Sequence, residues 1–166
     1  VKSVGEKVGV SVDTSGMKKK DDKYQSDYEI MDFASKIYQN NLNSSLGIDA
    51  RKYLESRNFS EETIKDFGIG FSVKDNKGLY NLISKKYKNK DLFDLGLIYI
   101  DGNTGLDVFV NRVMIPIKDH NNNIVGFTGR VIAEKYSGGK YINTKETRIY
   151  TKGNILFNYY NSKDYI

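Results

Sequence analysis

The chain has 166 residues, enough for one domain or two small subdomains, and its 39% apolar content supports a packed core rather than global disorder. No apolar run approaches the ~18 residues of a membrane-spanning helix, and no signal-peptide pattern is present. The absence of cysteine rules out disulfides and thiolate zinc sites and fits a reducing, cytoplasmic setting. The net charge is +5, and residues 130–166 carry most of it, with seven Lys/Arg against three acids. A local excess of this kind suits a polyanionic partner, although a solvated basic surface has the same composition.

Residues 1–11 form a short mixed segment, and residues 12–24 read as a charged linker containing Lys18-Lys19-Lys20 followed by two aspartates. A helix is expected from Ser26, where Ser26-Asp27-Tyr28-Glu29 fits a capping box, with Ile30, Phe33, Ala34, Ile37 and Tyr38 on its apolar face. A second helix starts near Gly47 and aligns Ala50, Tyr53, Leu54 and Arg57. A third starts at the N-cap Ser60, carries Glu61 and Glu62 at the positive end of its dipole, and stops at Phe67-Gly68. Residues 69–73 read as a short strand, 79–87 and 90–95 as short helices, and Gly96 as a stop.

From Leu97 the period changes from helical to alternating. Residues 97–100 are an expected strand and 101–105 a turn. Val108–Ile117 is an expected long strand with Val108, Val110, Arg112, Met114 and Pro116 on one face and Phe109, Asn111, Val113, Ile115 and Ile117 on the other. Asn121-Asn122-Asn123 supplies turn residues that tolerate positive φ, and residues 124–132 return as the hairpin partner. Helices followed by a small antiparallel sheet with a central β-hairpin make an α+β fold. Residue 1 is Val and the chain stops at Asp164-Tyr165-Ile166, in an apolar pattern like the start of a strand. A piece of a longer protein is therefore expected.

Several familiar sites are excluded. His120 is the sole histidine and falls in a turn, so no Ser-His or Cys-His machinery exists. Asp101-x-Asn103-x-Gly105 opens like a calcium loop, but Leu106 and Arg112 stand where that loop needs Gly and Glu. Gly138-Gly139-Lys140 lacks the glycine spacing and following Ser/Thr of a phosphate loop. No Asp-x-Asp occurs, and no convincing carboxylate set for a two-metal centre is present.

The remaining signal is the run from Asp107 to Lys152. It places Arg112 and Arg130 on the two strands of a hairpin, followed by a basic loop with Lys140, Tyr141, Asn143 and Lys152. Arg offers a planar, permanently charged fork for phosphate, Lys a mobile point charge, and the interleaved Tyr136, Tyr141 and Tyr150 flat faces for bases. Arg112 is open to a second reading as a structural ion pair, Tyr141 to core packing, and Asn143 to fixing the loop. Lys135, Lys145 and Arg148 read as solvated surface.

Three groups of residues together resemble the bacterial DnaG-type DNA primases. Residues 50–57 and 62–70 are similar to the early helices and first strand of the family's catalytic core. Phe109–Ile117 and Gly126–Arg130 are similar to its central hairpin, and Lys140–Thr147 and Lys152–Phe157 to its basic loop and following helix. Thr128, Asn122, Lys145 and Thr151 depart from the family pattern without removing a cation. The resemblance implies that residues 25–166 are the N-terminal basic subdomain of the RNA polymerase core, with residues 1–24 the tail of a preceding module and a linker. It further implies an enzyme that makes short RNA primers on single-stranded DNA. Arg112, Arg130, Lys140, Tyr141, Asn143 and Lys152 would then bind template or nucleotide. Mg²⁺ would be held in a Toprim subdomain outside this chain, Zn²⁺ in a preceding module, and the replicative helicase would bind through other regions. The implied partners are single-stranded DNA, ribonucleotides and the RNA–DNA hybrid. A non-catalytic nucleic-acid-binding module of a replication or topoisomerase-like protein is the alternative.

Overall fold

The computed structural model describes residues 23–133 and 138–154. Residues 12–22 of the linker with its three lysines, Lys135, Tyr136, and the expected helix carrying Leu156 and Phe157 lie outside these residues. Helix α1 spans Gln25–Asn43 and is followed by a 3₁₀ turn at Ser45–Gly47, then α2 (Ile48–Ser56) and α3 (Glu61–Asp66). Strand β1 (Gly70–Ser72), the short helices α4 (Tyr80–Ile83) and α5 (Asn89–Asp94), and strands β2 (Ile98–Asp101) and β3 (Thr104–Asp107) come next. Strands β4 (Arg112–Lys118), β5 (Ile124–Val131) and β6 (Tyr141–Asn143) complete the described elements, with a last 3₁₀ turn at Lys152–Asn154. The main sheet runs β1-β4-β5-β6, antiparallel throughout, and β2-β3 is a separate hairpin.

Helix α1 lies on this sheet. Its apolar stripe buries Ile30, Met31, Ala34, Ile37 and Tyr38 against Phe109, Met114 and Phe127, each large side chain contributing about 1.5–3 kcal/mol. The Tyr38 and Phe127 rings meet edge to face at 5.3 Å. The approach is close enough that a Cβ on Gly70 would lie 2.5 Å from the Tyr38 Cβ, so β1 passes beneath α1 only as glycine. Helix α2 covers a second cluster on the sheet's other side, with Leu42, Ala50, Leu54, Phe71 and Val113.

Three helices end in the same way, with a left-handed residue and paired amide-to-carbonyl bonds to the carbonyls one and two residues before the last helical residue. Asn58 (φ 60), Gly68 (φ 62) and Gly96 (φ 71) hold these positions. The amides of Asn58 and Phe59 donate to Glu55 and Leu54, those of Gly68 and Ile69 to Lys65 and Ile64, and those of Gly96 and Leu97 to Phe93 and Leu92. Ser60 caps α3 as its sequence indicates, accepting from the Thr63 amide.

Two local expectations are corrected. Helix α1 begins at Gln25 after Tyr24, and no side-chain cap is made. The Tyr24 carbonyl accepts from the Asp27 and Tyr28 amides, and Glu29 instead receives the Gln25 amide group at 3.3 Å. Ser26 and Asp27 are thereby inside the helix, which turns Asp27 inward. The long strand expected over 108–117 is also broken. Asn111 takes a left-handed φ of 54 and donates its amide to Val73 O, and pairing in β4 starts only at Arg112. This twist brings Phe109 into one core cluster with Met114, whereas an unbroken strand would set them on opposite faces.

The β2-β3 hairpin is tied to α4 through Asp107. Its buried carboxylate accepts the Leu79 amide at 2.7 Å and the Tyr80 amide at 2.9 Å. Burial pushes this carboxyl up to about 6, and the two amides oppose that rise. The folded chain therefore holds the Asp107 proton more tightly than the unfolded chain. The associated stabilisation is full below the unfolded value near 3.8 and is lost as pH rises through about 6. Urea unfolding of the wild type and Asp107→Asn should show the wild type's relative stability falling by roughly 1–3 kcal/mol between about pH 4 and pH 7. A pH-independent difference between the two would contradict the assignment.

Candidate nucleic-acid interface

The sheet register decides which cations share a surface. Cross-strand partners form the row Phe71–Val113–Arg130–Tyr141 across β1, β4, β5 and β6. Its first two members pack under α2. Arg130 and Tyr141 continue the row toward the β6 edge, beyond that cover. The neighbouring row Ser72–Arg112–Val131 is one residue out of step, and so presents Arg112 to the opposite face. The two hairpin arginines, which the sequence sets side by side, are therefore separated by the sheet.

Arg130 is held between aromatic rings. Its guanidinium carbon lies 5.0 Å from the Tyr141 ring centre and 5.4 Å from that of Tyr53 on α2. The guanidinium also donates to the Tyr141 hydroxyl. Arg57 stacks on the same Tyr53 ring at 5.5 Å. Together Tyr53, Arg57, Arg130, Gly138 and Lys140 line an open cleft of about 570 Å³. Among the described residues, neither Arg57, Arg130 nor Lys140 forms a salt bridge with a carboxylate. The Arg130 Nε is buried without a hydrogen-bond partner. Uncompensated guanidiniums held by stacking, beside an exposed lysine, form a surface that suits phosphate.

Each expected site residue has a definite place. Arg112 is 2% exposed, and its guanidinium donates to the carbonyls of Gly129 (3.1 Å), Gly139 (3.0 Å) and Lys140 (3.3 Å). Its backbone amide donates to the Ser72 hydroxyl at 3.1 Å. It thus clamps the loop that carries Lys140. Tyr141 is 52% exposed, so core packing does not hold it. The Asn143 side-chain oxygen accepts the Thr128 hydroxyl at 2.9 Å and fixes β6 against β5. Thr144 extends that join, accepting the Phe127 amide at 2.8 Å. Lys152 is not among the residues lining the cleft. It is exposed on the last 3₁₀ turn, where its backbone amide donates to Glu146.

The surface reading of Arg148 is corrected. Its guanidinium grips Asp27 through two 2.6 Å bonds, and Asp94 and Asp91 lie 3.6 and 3.9 Å away. Asp27 is nearly fully buried, and a buried carboxylate requires a partner of this kind. Lys145 is also engaged, lying 3.9 Å over the Phe93 ring. The described part of the basic tail thus divides its charge between structure (Arg148, Lys145) and open surface (Lys140, Lys152). Tyr53 and Arg57 were legible only as members of an apolar helix stripe. An arginine on that stripe was the available signal that the end of α2 faces something other than core. No three His, Cys, Asp or Glu side chains among the described residues gather closely enough to hold a metal ion, so a divalent cation has no ready-made seat in this part of the chain. No helix among them is long and apolar enough to cross a membrane.

Comparison with known proteins gives one consistent family. The family described as "DNA primase catalytic core, N-terminal domain" matches residues 37–163. A DNA primase of Lactococcus lactis is 37% identical over 133 residues, covering 79% of this chain and 21% of the relative. A solved DnaG primase catalytic domain bound to single-stranded DNA is 33% identical with a TM-score of 0.75, covering 84% of this chain and 44% of that one. The zinc-binding and RNA polymerase domains of the Aquifex aeolicus primase are 27% identical with a TM-score of 0.77, covering 99% of this chain and 39% of that one. The chain thus spans about a fifth of the Lactococcus primase. Helices, hairpin, basic loop and these matches agree, and the chain belongs to the family of N-terminal domains of the DNA primase catalytic core.

Proposed function

We propose that this chain forms the basic wall of the template groove in a DNA primase. The whole protein would join ribonucleotides into short RNA primers on single-stranded DNA during replication, in the cytoplasm. The carrying observation is the cleft in which Arg130, stacked between Tyr53 and Tyr141, stands beside Lys140 with no salt-bridged carboxylate among the described residues. Arg130 and Lys140 hold phosphate, and Tyr141 offers its exposed ring to a base. Asn143 and the buried Arg112 position the loop, and Lys152 contacts phosphate further along the strand. The related catalytic domain solved with single-stranded DNA supports this class of partner. In this reading the linker ends at residue 24 and the basic subdomain occupies 25–166. Mg²⁺ is held by carboxylates outside this chain, and Zn²⁺ by a preceding module of the kind present in the Aquifex protein. Ribonucleotides and the RNA–DNA hybrid share the groove, and the replicative helicase docks elsewhere.

The test is primer synthesis. The 166-residue chain supplied with Mg²⁺, ribonucleotides and single-stranded DNA should make no primer, because two-metal transfer needs carboxylates that its described residues do not assemble. The full-length parent should make primers, and Arg130→Ala should slow it by about tenfold to a hundredfold through loss of a charged phosphate contact. A parent that binds single-stranded DNA but never yields primer would instead identify a non-catalytic nucleic-acid-binding module.

A further inference from the structure

The sheet face that carries Arg130 and Tyr141 continues for another row. Two residues along each strand, Ile115, Thr128 and Asn143 are cross-strand partners, about 7 Å from the first row. Ile115 packs in the cluster beneath α2, as Val113 does. Thr128 is half-buried and Asn143 exposed, so this row also leads out from under the helix toward the β6 edge. We infer that Thr128 is a specificity-determining residue for the template: it holds the Asn143 side chain as a hydrogen-bond donor only, and so keeps this row indifferent to which base passes it. This rests on the reading of the same face as a nucleic-acid groove.

The Thr128 hydroxyl donates to the Asn143 Oδ1 at 2.9 Å. A carboxamide carries its acceptor on one arm and two N–H donors on the other. With the oxygen turned to β5, the amide arm is what Asn143 offers outward, and it has no hydrogen-bond partner among the described residues. Adenine is singled out by an asparagine that offers both arms at once, the oxygen accepting from N6 and the amide donating to N7. A lone donor makes no such choice, because every base edge and every phosphate carries an acceptor. A neutral, donor-only Asn143 beside the Arg130 cation and the Tyr141 ring completes a surface that any template sequence can satisfy. Thr128 is thus a positioning residue that acts through Asn143. Thr144 holds the same two strands independently, its hydroxyl accepting the Phe127 amide at 2.8 Å and its own amide donating to the Phe127 carbonyl at 2.9 Å. The β5-β6 join therefore does not depend on Thr128, and the hydroxyl can be removed without unpairing the strands.

Binding of the 166-residue chain to labelled oligo(dA) and oligo(dT) of equal length would be measured by fluorescence anisotropy, with urea unfolding of every variant to establish that it folds. Thr128→Val replaces the hydroxyl with a methyl of similar size on a strand, where valine is favoured. It frees the Asn143 oxygen, and the affinity for oligo(dA) relative to oligo(dT) should rise about fivefold, the low end for a good bidentate pair. Thr128→Ser keeps the hydroxyl and should keep the wild-type ratio. In an Asn143→Ala background, Thr128→Val should leave the ratio where Asn143→Ala alone puts it. A loosened strand join would instead weaken binding of both oligonucleotides alike. An unchanged ratio in Thr128→Val, or a shift that survives in the Asn143→Ala background, overturns the inference. Arg130→Ala separates it from the reading beneath it: weaker binding of both oligonucleotides upholds the groove whatever Thr128→Val does. A wild-type chain that binds neither oligonucleotide overturns the groove and the inference together.

Discussion

Arg112→Ala should destabilise the fold by about 3 kcal/mol or more, the loss of charge-assisted hydrogen bonds to buried carbonyls together with the cavity left by a large side chain. The sequence marks Arg112 as a hand for phosphate, but the structure puts its guanidinium beneath three carbonyls from β5 and the loop before β6. Two of those carbonyls belong to Gly139 and Lys140, so the clamp sets where the Lys140 side chain leaves the backbone. The packing is tight: a Cβ on Gly129 would lie 3.0 Å from the Arg112 Cδ and 2.7 Å from Phe109. Arg112→Lys should recover little, because one ammonium does not span three carbonyls as a fork does. Urea unfolding measures this directly. A residue that merely reached into solvent for phosphate would change stability by less than about 0.5 kcal/mol on replacement, and that outcome would contradict the clamp.

Arg148→Ala should cost about 2 kcal/mol, less than a fully buried pair because the arginine itself is 39% exposed. What remains after the substitution is Asp27, with its side chain only 6% exposed and both oxygens stripped of their donors. Asp27 sits in the first turn of α1 and Arg148 beyond β6, so the pair closes the chain over 121 residues of separation. A double-mutant cycle with Asp27→Asn isolates the interaction, and a coupling near 2 kcal/mol is expected. Coupling below about 0.5 kcal/mol would mean that Asp27 finds other donors and that the pair is incidental. Arg148→Lys should be intermediate, since lysine keeps the charge but not the two parallel bonds.

These two arginines show where the sequence stops being informative. Features governed by residues next to one another were legible: the Ser60 cap, the glycine stops at 68 and 96, the β4-β5 hairpin, and the turn at Asn122, which takes φ 69. Asn58 ends α2 in the same way as those glycines but was not read as a stop, because asparagine is also common in turns and solvated helices. Asn111 was missed because the alternation of apolar residues continues through it, and only the left-handed backbone reveals that the faces exchange there. The structural roles of Arg112 and Arg148 come from partners 27 and 121 residues away, and no local spacing records such distances. Arg130, by contrast, is half-buried between the rings of Tyr53 and Tyr141, one of the tyrosines interleaved with the cations in the sequence. The Tyr53–Arg57 bank could be seen only after α2 was placed over the sheet.

The central claim is that the cleft between α2 and β6 binds nucleic-acid phosphate through Arg130 and Lys140. The direct measurement is the salt dependence of single-stranded DNA binding by the wild-type chain and by an Arg130→Ala/Lys140→Ala double variant. Binding should weaken with salt, and the double variant's slope should be shallower by about 1.4, two phosphate contacts on a single strand. Parallel slopes for the two proteins, with both folded, would show that these cations do not touch the strand.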